Sequence, residues 1–334
     1  MMHVYAARDG ALQRTKIDDD APPRLPEDGV WIDLVEPTAA EERRLEKWLG
    51  LNVPTREEMQ EIEASSRLYE EHGALFMTGL VVWRAETHEP ANTPVTFIVT
   101  RRHLITVRYA DPLPFRAFVA RCTKQPKTVQ TSDGAFVALL EAVVDRAADI
   151  LERIGADLDA VSADIFRREK PHPTIRQRFA RAKSADLEHI ITRVGQHNDL
   201  AQKIRESLLS LSRLVSFFRE AAGATVENGV RSHLKTLDRD IRSLTEHDTY
   251  LATKISFLLD ATLGLINIQQ NAIIKIFSVV AVVFMPPTLV ASIYGMNFHH
   301  MPELDWPFGY PMALAIMLAS AIFPYLYFKF RNWL

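Results

Sequence analysis

Two long runs without a charged residue lie close together near the C-terminal end of the chain, at residues 276–294 and 310–328. Each run is about as long as the ~20 residues that a helix needs to cross the hydrocarbon core of a bilayer. The rest of the chain is rich in charge, so both runs stand out from their surroundings. The pattern predicts a membrane hairpin that places the chain in a lipid bilayer. The alternative is a pair of buried core helices.

Basic residues flank this hairpin on one side only. Lys275 precedes the first run, and Lys329 and Arg331 follow the second, whereas the connection between the runs carries Glu303 and Asp305. Because lysine and arginine near membrane spans stay on the cytoplasmic side, both termini are expected in the cytoplasm. Residues 329–334 then form a short cytoplasmic tail.

Composition excludes several classes of function. The formal net charge is −3, so no basic field points to nucleic acid as a partner. The single cysteine, Cys122, excludes an intramolecular disulfide framework. The N-terminal residues lack the apolar core of a secretory signal. Histidines and acids are scattered without catalytic spacing, and there is no phosphate-binding glycine-lysine loop, so we expect neither an enzyme nor a small organic substrate.

The first third of the chain alternates between short apolar runs and charged stretches. Apolar runs of strand length lie at residues 2–7, 30–35, 74–83, 94–100 and 103–109. Thr38, followed by acids in the first turn, predicts a helix N-terminus, and residues 57–71 resemble a second charged helix. Strands interleaved with helices predict a cytoplasmic α/β layer domain over residues 1–130.

From about Ser132 the pattern is helical, with a break at residues 170–173. Asn228-Gly229 is predicted to be a loop, and the last long helix begins there. We assign residues 131–272 to a helical region and stalk. The last helix carries a seam of residues spaced alternately by four and three, as in a coiled coil. The seam consists of Val230, Leu234, Leu237, Ile241, Leu244, Asp248, Leu251, Ile255, Leu258, Thr262 and Leu265. It favours either a helix packed along its own domain or a stalk that also contacts neighbouring subunits.

The first apolar run carries a polar stripe, which begins shortly before the span. Residues spaced by four and three share one helix face, and five of the eight are polar: Asn267, Asn271, Ile274, Ser278, Ala281, Met285, Thr288 and Ser292. Unsatisfied polar groups in lipid are costly. The stripe therefore faces either another helix or a water-filled path. Two spans per chain cannot enclose a pore, so the second alternative requires a ring of subunits.

The residues at the end of the first span carry a resemblance to a known family. Tyr294-Gly-Met-Asn-Phe298 followed by Met301-Pro-Glu-Leu304 closely resembles the CorA family of divalent-cation transport proteins. Residues 267–271, 285–288 and 327–334 extend the match. The resemblance is strong from about residue 258 onward and only architectural before it.

This resemblance implies an α+β membrane protein that assembles as a funnel-shaped homopentamer in the bacterial inner membrane. The first span, residues 273–294, would line the pore, residues 295–309 would form the extracytoplasmic loop, and residues 310–328 would face lipid. The family's selectivity filter falls on Gly295, Met296 and Asn297, with Asn297 forming the ring that binds hydrated Mg²⁺. The family's pore-lining positions, taken with the stripe, fall on Asn271, Ile274, Phe277, Ser278, Ala281, Met285, Thr288 and Ser292.

The sequence departs from the family at the extracytoplasmic mouth, which comprises His299, His300 and Glu303. The two histidines stand where the family commonly has an acid and an aromatic residue. They are either tolerated changes or groups that lower the negative charge and attract Zn²⁺, Co²⁺ or Ni²⁺. Family members are closed by cytosolic Mg²⁺ bound to acids, for which Asp238, Asp240 and Asp248 are the candidates here; a solvated helix face is the alternative for most acids of the stalk.

Three functions therefore stay open. The first is Mg²⁺ influx, with Co²⁺ and Ni²⁺ as further substrates, driven by the membrane potential and gated by cytosolic Mg²⁺. The second is Zn²⁺ transport by a protein of the same superfamily. The third is a non-conducting, membrane-anchored scaffold or sensor that uses its coiled coil for assembly.

Overall fold

The computed structural model describes residues 1–8, 11–17, 28–124, 130–166, 184–223, 227–297, 301–302 and 306–331. The chain divides into two compact units. The first comprises residues 1–169 and 190–258, and the second comprises residues 170–189 and 259–334. The predicted mouth residues His299, His300 and Glu303 lie outside the described residues, as does the predicted break at residues 170–173.

The first unit is built on a seven-stranded mixed sheet with the order β2-β1-β3-β7-β6-β5-β4. Strands β3 and β7 pair in parallel, and the other neighbouring pairs are antiparallel. The strands are β1 (Met2–Arg8), β2 (Ala11–Ile17), β3 (Gly29–Val35), β4 (Leu68–Glu71), β5 (Ala74–Trp83), β6 (Ala91–Val99) and β7 (Leu104–Arg108).

Helices or loops cover both faces of the sheet. On one face, alternate residues of β1, β3 and β7 pack around Leu45 of α1 (Ala39–Leu49) and Met59 of α2 (Arg56–Met59). On the other face, Trp31 contacts Phe115 and Phe118 of α4 (Leu113–Lys124). Because the central strands are covered on both sides, they are nearly continuous apolar runs, as the sequence predicted.

Local signals explain where α1 begins and ends. The hydroxyl of Thr38 accepts a hydrogen bond from the Glu41 backbone, and the Glu41 side chain bonds back to Thr38, forming a capping box. Gly50 ends the helix with a left-handed φ of 68°, a conformation that costs glycine little. The predicted start at Thr38 is confirmed.

Residues 57–71 do not form the single helix that we predicted. They contain the end of α2, the short α3 (Ala64–Arg67) and the edge strand β4. Strand β4 pairs antiparallel with β5, from Leu68 opposite Met77 to Glu71 opposite Ala74. The long-range ladder therefore overrides the helical appearance of a charged segment.

Three long helices contribute to the first unit, the second of them from Ile190 onward and the third as far as Leu258. These are α5 (Ser132–Phe166), α6 (Ser184–Ala222) and α7 (Asn228–Tyr294). Helix α6 lies against β5, where the Ser207 hydroxyl donates to the Leu80 carbonyl (2.7 Å) and the Leu80 amide donates to the Ser210 hydroxyl (3.0 Å). These bonds satisfy an edge of β5 that the shorter β4 does not reach.

The seam of α7 faces its own domain up to Leu258. Its residues Leu234, Leu237 and Ile241 are at most 2% exposed, and so are the later members Leu251, Ile255 and Leu258. Lys254 forms a 2.7 Å ion pair with Asp159 of α5. Within the single chain, the seam therefore packs along its own domain, which is the first of the two predicted alternatives.

Helix α7 begins at Asn228, where the Arg231 amide donates to the Glu227 carbonyl. Our prediction that the last long helix begins at Asn228-Gly229 is confirmed, but the pair is not a loop, because it already belongs to the first helical turn. The helix runs for 67 residues without interruption and passes from the first unit into the second after Leu258. The second unit also contains α8 (Gly309–Phe330).

Candidate ion pathway

The two predicted spans are helical, and their apolar surfaces are uncovered in the single chain. Helices α7 and α8 each contain a window long and apolar enough to cross a membrane, and only 6% of each window is buried. A core helix of a soluble protein would be mostly buried. The low burial therefore favours membrane spans over the alternative of buried core helices.

The predicted pore-lining residues lie along the C-terminal part of α7 and are exposed. Ile274, Phe277 and Met285 are 60%, 70% and 68% exposed. The remaining predicted pore-lining positions, Asn271, Ser278, Ala281, Thr288 and Ser292, are exposed as well. The single chain therefore leaves the whole stripe available to water or to another subunit.

Three hydroxyl groups of the stripe are bonded within the helix. Ser278 donates to the Ile274 carbonyl (2.8 Å), Thr288 to the Phe284 carbonyl (2.7 Å) and Ser292 to the Thr288 carbonyl (2.8 Å). Such bonds to the carbonyl four residues earlier satisfy the hydroxyl donors without water. The hydroxyl oxygens remain acceptors, so a cation or its water shell would meet the oxygen end of each dipole.

The prolines Pro286 and Pro287 lie inside α7, where neither can donate a backbone hydrogen bond. In a regular helix, the amides at these two positions would donate to the carbonyls of Val282 and Val283, one turn earlier. These two carbonyls therefore lack their usual helical donors. Free carbonyls in a membrane span need polar partners or water. The carbonyls of Val282 and Val283 therefore add backbone hydrogen-bond acceptors to the part of α7 that also carries Met285.

The Gly-Met-Asn segment closes the helix. The Gly295 amide donates to the Ala291 carbonyl (2.9 Å), and the Met296 amide donates to the Ile293 carbonyl (3.2 Å). A Cβ atom at Gly295 would lie 3.1 Å from the Ala291 oxygen, so any other residue here would push the two backbone segments apart by a few tenths of an ångström. Asn297 follows in a non-helical conformation with an exposed side chain, where its amide is available to a ligand.

Two of the predicted regulatory acids are neutralised by arginine. Asp238 bonds Arg242 at 2.8 Å on the next turn, and buried Asp248 bonds Arg205 of α6 at 2.6 Å. Burial raises the pKa of Asp248, and the hydrogen bond from Arg205 opposes this shift. Asp240 is exposed. Within the described residues, no three side chains of the His, Cys, Asp or Glu type are grouped closely enough to hold a metal ion.

Sequence reasoning missed the arginine partners of these acids. The Asp238–Arg242 spacing of four was a readable signal on a helix. Arg205 lies 43 positions before Asp248, and no local pattern joins two residues so far apart.

Comparisons with known proteins agree with these features. The family model described as "CorA-like Mg2+ transporter protein" matches residues 26–329. The magnesium transport protein CorA of Yersinia pseudotuberculosis is 34% identical over 336 residues, covering 100% of both chains. CorA of Escherichia coli K12 is 34% identical over 334 residues, also with 100% of both chains covered.

Solved structures show the same fold. The CorA magnesium transporter of Methanocaldococcus jannaschii superposes with a TM-score of 0.74 at 17% identity, covering 100% of this chain and 99% of that one. The cytoplasmic domain of ZntB from Vibrio parahaemolyticus gives a TM-score of 0.55 at 10% identity, covering 80% of this chain and 98% of that one. The mixed α+β domain, the long helix that continues into the first span and the second apolar helix are therefore confirmed as this fold.

Proposed function

This chain belongs to the CorA-like Mg²⁺ transporter family, and from that membership we propose that it carries Mg²⁺ into the cytoplasm down the electrochemical gradient. One observation carries the proposal. A single helix bears an exposed stripe of amide, hydroxyl and apolar groups and is followed directly by Gly295-Met296-Asn297.

The stripe suits an ion that keeps its water. Mg²⁺ dehydrates reluctantly, and none of the stripe residues is charged. Rings of amide and hydroxyl oxygens can bond the water shell of such an ion without holding it tightly. In this proposal the Asn297 ring selects the hydrated ion, Gly295 and Met296 hold its backbone, and Ile274 with Phe277 forms the narrow apolar part of the path.

The path needs several subunits, because two spans per chain cannot surround water. We propose a homopentamer in the inner membrane with both termini in the cytoplasm. A membrane potential that is negative inside supplies about 4.6 kcal/mol per divalent ion for each 100 mV. No ATP-binding site is therefore required for influx.

Gating by cytosolic Mg²⁺ belongs to the same proposal. Asp240 is the acid best placed to meet a free ion, since Asp238 and Asp248 bond arginines within their own chain. Mg²⁺ at Asp238 or Asp248 would have to replace those arginines. Co²⁺ and Ni²⁺ are proposed as further substrates, since both also form hydrated divalent ions.

Ion flux into liposomes tests the proposal. We expect Mg²⁺ uptake in the parent protein and its loss in Asn297→Ala. Asn228→Ala makes the same chemical change at an exposed position at the other end of α7 and should keep the flux. Flux that is unchanged in Asn297→Ala would favour the non-conducting scaffold.

Zn²⁺ transport is the second candidate, favoured by the pair His299-His300. Imidazole binds Zn²⁺ better than it binds Mg²⁺. Uptake of each ion in competition with the other separates these functions. Zn²⁺ flux that exceeds Mg²⁺ flux, and falls in the variant with alanine at both histidines, would assign the protein to Zn²⁺.

A further inference from the structure

A row of buried polar side chains crosses the sheet face that α4 covers. His3, Asp33, Thr106 and Arg108 lie on β1, β3 and β7 and are only 4%, 1%, 0% and 6% exposed. The register places His3 opposite Asp33 and Asp33 opposite Thr106. A cleft of about 450 Å³ opens beside this row, a size within the range of small-molecule sites.

The centre of the row is saturated by its own contacts. Arg108 donates through Nε and Nη2 to the two carboxylate oxygens of Asp33, at 3.0 and 2.9 Å. Its Nη1 donates to the Ala110 carbonyl and to Asp111, at 2.8 and 2.7 Å. Thr106 donates to Asp33 at 2.7 Å. These groups form a rigid floor and have little capacity left for a ligand.

Arg14, on the wall of the cleft, has a different kind of partner. Its Nη2 atom lies 2.6 Å from Nε2 of His3. A guanidinium N–H can donate over this distance only if Nε2 is unprotonated and acts as the acceptor. Burial, together with the charge of Arg14, lowers the pKa of His3, so the ring is neutral near pH 7. The imidazole orients Arg14 and does not cancel its charge.

The charge of a second guanidinium on the cleft wall, that of Arg116, is only partly compensated. Asp111 accepts a hydrogen bond from Arg108 at 2.7 Å and forms an ion pair with Arg116 at 3.4 Å, so two arginines share one carboxylate. The side chain of Arg116 is 65% exposed. The amino group of Met1 is paired with Glu41, and Glu36 contributes a negative charge to the rim.

We propose that this cleft binds a small phosphate-bearing anion between Arg14 and Arg116. The anion supplies acceptor oxygens to Arg14, whose partner among the described residues is the neutral ring of His3, and to Arg116, which shares Asp111 with Arg108. The floor of Asp33, Thr106 and Arg108 holds the walls in place. Arginine forks recognise phosphate through charge-assisted hydrogen bonds.

The arrangement favours phosphate over carboxylate. Arg14 lies on β2 and Arg116 lies on α4, and both side chains line the cleft. A tetrahedral phosphate has oxygens that point in several directions and can accept from both walls. A planar carboxylate presents one edge and matches a single fork. The proposal does not depend on ion transport.

Binding is measured on the full-length protein in detergent by titration calorimetry. The probes are inorganic phosphate, AMP and acetate, each up to about 10 mM. We expect phosphate or AMP to bind and acetate not to bind. Tighter binding of inorganic phosphate would identify the ligand as a free ion, and tighter binding of AMP would identify it as a phosphate ester. Absence of both bindings, or acetate binding of equal strength, would overturn the proposal.

Matched variants locate the site. Arg116→Gln changes an exposed side chain and should fold normally, and Arg14→Gln should act in the same way. Each is expected to weaken binding about tenfold, since each removes a charge-assisted bond. Arg101→Gln, in the exposed connection between β6 and β7, should bind as the parent does. Equal affinity in the parent and in the double variant at Arg14 and Arg116 would refute the assignment.

Discussion

Asp248 of α7 and Arg205 of α6 form an ion pair of 2.6 Å in which only one carboxylate oxygen has a partner. Asp248 is completely buried, and its Oδ1 atom accepts no hydrogen bond within the described part of the chain. The pair joins the helix that continues into the membrane to the helix that lies against the sheet. Asp248 stands at a seam position where an apolar residue is expected, and the other seam residues from Val230 to Leu258 are apolar.

Removal of Arg205 should destabilise the first unit. The change Arg205→Gln leaves a buried carboxylate without its counter-charge, which costs several kcal/mol in fully buried pairs. Because the Arg205 side chain is 40% exposed, water screens part of this cost, and we expect a loss of about 2 kcal/mol. Thermal unfolding followed by tryptophan fluorescence measures the change.

Two variants control this experiment. Arg242→Gln removes a partner of Asp238 whose side chain is 68% exposed, more than that of Arg205. This change should alter the stability by less than about 0.5 kcal/mol. Leucine at both Arg205 and Asp248 should recover the parent's stability or exceed it, because apolar replacements of buried pairs are often neutral or better. A double variant as unstable as Arg205→Gln would contradict this explanation.

Asp248 should also make the stability depend on pH. Burial raises the pKa of the folded carboxyl above its ordinary value of 3.8, so the folded chain holds its proton more tightly than the unfolded chain. The stability contributed by this group is present in acid and is lost as pH rises through the raised pKa.

Asp248→Asn removes this titration and leaves the other acids in place. We therefore expect the variant to gain stability relative to the parent as pH rises from about 4 to 7. Unfolding midpoints at several pH values give the difference between the two proteins. A difference that stays constant, or that changes in the opposite direction, would show that the carboxyl does not carry the shift.

Much of the fold could be predicted because its signals are local. The buried strands β3, β5 and β7 are apolar runs, and Thr38 with Glu41 forms a capping box. The edge strand β2 was missed, since its described side chains from Gln13 to Lys16 are polar and exposed. It is a strand only because β1 pairs with it.

The same distinction applies to the candidate sites. The stripe from Asn271 to Ser292 could be read from the sequence because a helix places residues three and four apart on one face. The pairing of Asp248 with Arg205 and the cleft beside Arg14 depend on contacts between distant segments. No periodicity encodes such contacts, so the sequence alone leaves them undetermined.

Gly295→Ala should impair transport more than stability. The added Cβ would lie 3.1 Å from the Ala291 carbonyl oxygen, so the end of α7 must shift by a few tenths of an ångström. Asn297, two residues later, would move with it. We expect lower Mg²⁺ flux with the first unit as stable as before, because the change lies outside it.

Gly264→Ala is the matched control on the same helix. No atom lies within 4 Å of a Cβ placed there, and alanine favours a helix over glycine by about 1 kcal/mol. This variant should keep full flux and be slightly more stable. Equal loss of flux in both variants would mean that glycine flexibility, and not the close contact at Ala291, is what transport requires.

Chemical cross-linking tests the ring of subunits on which the pathway depends. The stripe is exposed in the single chain, as are Tyr250 and Phe257 on the part of α7 that belongs to the first unit, at 60% and 57%. Uncovered apolar side chains on a long helix indicate a surface that neighbours cover. For the proposed homopentamer, an amine-reactive reagent applied to membranes should produce a ladder of bands that ends at five. A ladder that stops at two would remove the pore, because two chains supply too few helices to surround a hydrated ion.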